Sequence, residues 1–127
     1  MKYLDSMRVI IIFFLISIFS CSRGLVSESS FKGTYYESHR GHLFGANQLW
    51  LNGDSTFRFI GNGPSIFLSQ GFWKYDKLNY VIHLTSRHDI LGIRKTVDSM
   101  WIDMTGKRIK VKNKEQLLLD EVVYYIK

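Results

Sequence analysis

Four groups of side chains in this 127-residue chain are of types that do chemistry. Cys21 is the only thiol. His39 and His42 stand three apart, with His83 and His88 further on. Ser86 lies close to the pair His88-Asp89. Arg108, Lys110, Lys112 and Lys114 alternate with Ile109, Val111 and Asn113. Two histidines can begin a metal site, but three or four ligands with supporting hydrogen bonds are normally needed. The plainer reading is exposed loop histidines, so no metal or cofactor is expected. Serine, histidine and aspartate are the types of nucleophilic catalysis, yet a triad is defined by geometry and not by nearness in sequence. No Gly-x-Ser-x-Gly elbow is present, nor a glycine-rich phosphate loop leading into a helix. Catalysis is therefore not expected. The four cations would fall in a row on one face of a strand. They read either as a docking stripe for anionic lipid or an acidic partner, or as an edge strand protected by lysines.

The elements that position these groups begin with the head of the chain. Lys2 and Arg8, diluted by Asp5, precede an apolar run at residues 9–19 (VIIIFFLISIF). A membrane-spanning helix needs roughly 20 apolar residues, so eleven fit the core of an export signal instead. Residues 18–21 (IFSC) resemble the lipobox of bacterial lipoproteins. Ile18 and Ser20 match it, while Phe19 stands where a small residue is usual. The resemblance implies that Cys21 becomes the first mature residue and is acylated. Two or more acyl chains anchor a protein stably, at about 0.8 kcal/mol per buried methylene. An exported chain commonly uses cysteines in disulfide pairs. A lone one at the cleavage position is better explained as an attachment point. The rival is ordinary cleavage after Ser22, with Ser20 and Ser22 as the small residues, releasing a soluble periplasmic protein. Ser22 is not the aspartate that retains enteric lipoproteins at the inner membrane, which implies the outer membrane, facing the periplasm. Residues 1–20 thus read as signal peptide, 21–30 as a flexible tether (SRGLVSESS follows the cysteine) and 31–127 as one domain.

The chain carries 17 basic and 11 acidic residues, a net charge of +6, with a single proline and nine Phe, seven Tyr and three Trp. A basic exported protein sits well beside anionic lipid or lipopolysaccharide. Nucleic acid is a poor partner in that compartment.

After residue 30, apolar residues recur with period two and no helical period stands out. Strands are expected at 31–37, 48–51, 55–60, 71–76, 79–85, 97–104 and 107–112, with a final run at 116–126. Asn52-Gly53 is a hairpin signal, because both residues tolerate positive φ. Residues 61–65 read as a loop on glycine and proline content, and 86–96 as a long loop with one helical turn. Leu49, Leu51, Phe57, Phe59, Trp73 and Ile82 are expected in the core, with Tyr75, Tyr80 and Leu84 facing the same way. About eight short strands with tight turns predict an all-β antiparallel meander closed into a small barrel, or alternatively a sandwich.

Gly33-Thr34-Tyr35-Tyr36, the hairpin Leu49-x-Leu51 to Thr56-Phe57, and Gly71-Phe72-Trp73 to Ile82-His83-Leu84 resemble lipocalin-like lipoproteins over residues 33–84. The resemblance implies a lipocalin-like barrel. Members that respond to copper carry a Cys-x-x-Cys in the barrel; this chain lacks it, so their metal and redox chemistry does not carry over. The expected role is a lipid-anchored envelope protein that binds rather than catalyses. Its partner would be a small apolar ligand inside the barrel. Trp50, Trp73, Trp101 and Tyr75 read either as lining a cavity for it or as simply filling a small barrel, and eight strands enclose room only for side chains or one small ligand, which favours filling. The alternative is a filled barrel that binds another envelope protein, as inhibitor or immunity-type lipoproteins do.

Overall fold

Alternation becomes pairing as soon as the chain turns. In the computed structural model, which describes residues 26–39, 44–87 and 99–127, Leu49 and Leu51 of β2 (Gln48–Leu51) sit opposite Phe59 and Phe57 of β3 (Thr56–Asn62). All four are buried, because facing residues of an antiparallel pair share one side of the sheet. The same rule runs through β1 (Thr34–Ser38), β4 (Ile66–Asp76), β5 (Val81–Ser86), β7 (Arg108–Asn113), β8 (Gln116–Leu119) and β9 (Val122–Ile126). These eight strands pair in the order β1-β2-β3-β4-β5-β7-β8-β9, and β9 returns to β1. The result is a closed antiparallel barrel, which leaves none of the eight with an open edge. It is lipocalin-like in architecture and not a sandwich. No α-helix occurs among the described residues, and none of their helices is long and apolar enough to cross a membrane.

One short strand, β6 (Ser99–Trp101), lies outside this order and pairs in parallel with residues 66–68 of β4. The cause is a length mismatch. β5 ends at Ser86, opposite Gly71, so residues 66–70, nearly half of β4, have no antiparallel mate on that side. The chain that returns to begin β7 already runs in β4's direction and fills that row. Polar groups bind the junction: the Ser86 and Ser69 hydroxyls share a hydrogen bond (2.8 Å), and Ser86 Oγ accepts from Met104 N–H (2.7 Å). Ser86 N–H donates to Thr105 Oγ1 at 3.0 Å. Gly71 is required at this crossing, since a Cβ there would overlap the Thr85 carbonyl and come within 2.8 Å of Ser86 Cα.

Several sequence expectations shift in detail. β3 runs through Gly61 and Asn62, and β4 begins at Ile66, because their ladder continues to Asn62↔Ile66; the turn is only residues 63–65. The Asn52-Gly53 hairpin forms, but its positive φ falls on Ser55 (68°). Ser55 N–H donates to Asn52 O and Asn52 N–H to Thr56 O, the pattern of a turn followed by one left-handed residue. Tyr80 is a turn residue (φ 54°) and not an inward strand position. The run 116–126 is two strands joined at Asp120-Glu121, both left-handed (49° and 65°). Of the strand expected at 97–104, residues 97 and 98 lie outside the described residues, and among the rest Ser99–Trp101 pairs as a strand. The helical turn placed within 86–96 falls largely outside the described residues. Phe31 lies in a turn before β1, after a 3-10 turn at Glu28–Ser30.

The strands define two ends. At the near end the chain enters and residues 52–55, 77–80 and 114–115 turn. At the far end lie the turns 63–65 and 120–121 and the described ends of two longer connections, at 39, 44–47, 87 and 102–107.

Candidate functional site

The barrel interior is occupied. Phe31, Tyr36, Leu49, Phe57, Trp73, Ile82, Ile109, Leu117 and Tyr124 form one packed cluster with their neighbours, each 0–7 % exposed. All six core residues expected from the sequence belong to it. Phe31 closes the near end, its ring 5.0 Å from that of Tyr75. Tyr36 reaches across the barrel to donate to the Lys114 carbonyl (2.7 Å). The Tyr75 hydroxyl is buried without a hydrogen-bond partner, and burial raises its pKa.

Trp73 and Tyr75 thus fill the interior and line no cavity with the other tryptophans. Trp50 is an outer-face residue, because its neighbours Leu49 and Leu51 take the inner face. It stacks on Tyr35 (4.7 Å between centroids), and the Arg58 guanidinium lies 5.4 Å from its ring on β3. Burial and the adjacent Glu37 carboxylate push the Tyr35 hydroxyl up to about 12. Trp101 aligns with Leu68 on the outer row.

Arg108, Lys110, Lys112 and Lys114 are all exposed, while Ile109 is fully buried and Val111 partly so. Two features depart from the expected stripe. β7 pairs with β5 on one side and β8 on the other, so the lysines do not protect an edge strand. A bulge between Val111 and Asn113 breaks the register, so only Arg108 and Lys110 hold regular ladder positions; Lys114 sits in the following turn. Below Lys110 the barrel wall opens. β5 starts at Val81, opposite Lys110, whereas β7 continues to Asn113 with no strand beside it on that side. A hollow of about 670 Å³ lies there, between the 77–80 turn, the bulge, Leu118 and Val26.

A second hollow, about 290 Å³, lies at the far-end mouth against Phe59, Phe67, Ile102, Leu119 and Val122. A third, about 500 Å³, lies beside His83 and Asp76, whose side chains are 3.7 Å apart.

The candidate metal and catalytic groups do not converge. His39 packs against Tyr125 (4.7 Å), and His83 is on the opposite wall, on β5. Among the described residues no three His, Cys, Asp or Glu stand close enough to hold a metal. The Ser86 hydroxyl is committed to Ser69 and Met104. Cys21, His42, His88 and Asp89 lie outside the described residues. The hollow beside Lys110 was missed in the sequence; its one local signal was Asn113, whose side-chain oxygen accepts from Glu115 and Gln116 N–H and turns the chain after the bulge.

Compared with known proteins, the chain matches no family model, no curated protein and no solved structure.

Proposed function

We propose that this chain is a lipid-anchored protein of the cell envelope that acts by binding, not catalysis, and that it binds on its outer surface. The observation that carries the reading is the filled interior. Eight strands enclose room for side chains or for one small ligand. Here the aromatic and aliphatic side chains occupy that room, while the larger hollows open on the outside. Acylated Cys21 supplies the anchor, and the basic wall around Arg108, Lys110, Lys112 and Lys114 suits an anionic neighbour.

Titration with an apolar fluorescent probe tests the interior against the exterior. Energy transfer from Trp73 that saturates at one probe per barrel, and vanishes in Trp73→Phe but not in Trp50→Phe, would return the ligand to the inside. The expected result is no such signal. The anchor has its own test: Cys21→Ala should move the protein from the membrane to the soluble fraction, and labelled palmitate should enter only the parent protein.

The second reading, an apolar ligand at the barrel, draws on the far-end hollow. Its apolar residues, set beside Asn47, Asn62, Lys107 and Asp120, would hold a ligand at the mouth and not in the centre.

A further inference from the structure

We infer that the hollow beside Lys110 is a binding site for a single-chain anionic amphiphile, an acyl chain ending in a carboxylate or phosphate. This rests on the binding role proposed above and names the ligand class. The hollow is built by the backbone. β5 begins only at Val81, Tyr80 is a left-handed turn residue whose carbonyl accepts from Val111 N–H (2.9 Å), and beyond that bond the β7 bulge leaves Lys112 and Asn113 with no partner from β5. Its volume of about 670 Å³ falls within the few hundred to a thousand Å³ of small-molecule sites.

The lining has two chemistries. Val81 and Leu118 flank Lys110 in register on the outer face, and Val26, which packs against the core, lines the hollow from the entering chain. These make an apolar floor. Lys110 and Lys112 stand on the rim, both exposed. Neither has a carboxylate within ion-pair distance among the described residues, whereas Lys107 at the far end pairs with Asp120. A chainless anion would satisfy the lysines and leave the floor wet. A neutral apolar molecule would cover the floor and leave the lysines unused. A chain with an anionic head satisfies both, the head on two ammonium groups and the methylenes on valine and leucine. Position agrees with this. Val26 stands five residues after Cys21 and brings the chain in at this end, so acylation of Cys21 would keep this end of the barrel within a few residues of the lipid layer.

Photo-crosslinking of the full chain in isolated membranes tests the inference, with label sites mapped by mass spectrometry. The probes are a diazirine fatty acid, the matching diazirine fatty alcohol, and a diazirine phosphatidylglycerol in vesicles. The fatty acid should label peptides covering residues 77–81 and 110–118. Lys110→Glu and Lys112→Glu should each weaken labelling by about fivefold or more, the weight of one cation beside an anionic head, and high salt should act alike. Leu118→Glu, which keeps both lysines but charges the floor, should abolish it. Labelling by phosphatidylglycerol but not free fatty acid would identify membrane lipid as the source and overturn the single-chain assignment. Equal labelling by acid and alcohol would overturn the anionic head. Labelling confined to the far-end mouth would overturn both this site and the outer-surface reading. No specific labelling would overturn this site alone and leave that reading standing.

Discussion

The two ends of the barrel are closed by different physics. The near end is closed by apolar packing: Phe31 lies over Tyr75 with no exposed surface, and the strands are joined by short turns. The far end is closed by hydrogen bonds. Asn47 accepts from Asn62 N–H (2.9 Å) and donates to Tyr124 Oη (3.2 Å), while Ser86 ties β4 to the chain entering β7. The difference follows from the longer connections that share the far end with its short turns at 63–65 and 120–121. Short turns bring strand ends together, and one aromatic ring fills the space between them. Long connections carry backbone groups past the ends of the ladders, where each N–H and C=O needs a partner of its own.

The largest expected effect lies at the apolar end. Phe31→Ala should lower stability by about 3–5 kcal/mol, the usual cost of deleting a buried ring. Denaturant unfolding checks this, and a loss under about 1 kcal/mol would mean the ring is no plug. At the polar end, Ser86→Ala should cost about 1–3 kcal/mol, because it leaves the Met104 N–H without its acceptor. Hydrogen exchange should quicken at Met104 before it does in β1 or β2.

Two substitutions should stabilise. Tyr75→Phe removes a buried hydroxyl with no partner, and a gain of about 1 kcal/mol is expected; a loss would reveal an unseen hydrogen bond at the near end. Glu121→Gly relieves a left-handed non-glycine residue in the β8–β9 turn. The relief of about 1 kcal/mol is partly offset by glycine's greater freedom when unfolded, so the melting temperature should rise only slightly.

The smallest effect is a pH dependence of the near-end turns. Hydrogen bonds from Thr56 hold Asp54 below its ordinary pKa, and those from Asn79 do the same for Asp76. A depressed folded-state pKa means the turns are supported above the ordinary carboxylate range, and that support is lost as pH falls through the folded-state values. Hydrogen-exchange protection, measured against the intrinsic rate at each pH, should therefore fall in acid at residues 55–56 and 78–79, while residues 120–122 change less. Equal loss of protection at both ends would erase this part of the contrast.

Much of this was legible beforehand. Period two alone placed Leu49, Leu51, Phe57, Phe59, Trp73 and Ile82 inside. It also required Trp50 to face out, since Leu49 and Leu51 face in, so grouping Trp50 with Trp73 in one cavity contradicted the pattern itself. The β8–β9 turn was hidden because Asp120-Glu121 contains no glycine or asparagine; pairing on both sides outweighs the local strain.

What the sequence determined by itself is alternation, and with it strand identity, the inner face and the all-β class, because side-chain direction along a strand is local. It also carried the eleven-residue apolar run at 9–19 and the lone Cys21. What tertiary structure decided are the relations between strands that depend on their lengths. β5 ends early, and so β6 pairs in parallel with β4. β7 outlasts its pairing with β5, and so a hollow opens beside Lys110. Closure itself is such a relation: β1 meets β9 only because eight strands bring them round, and no local pattern encodes a contact across ninety residues.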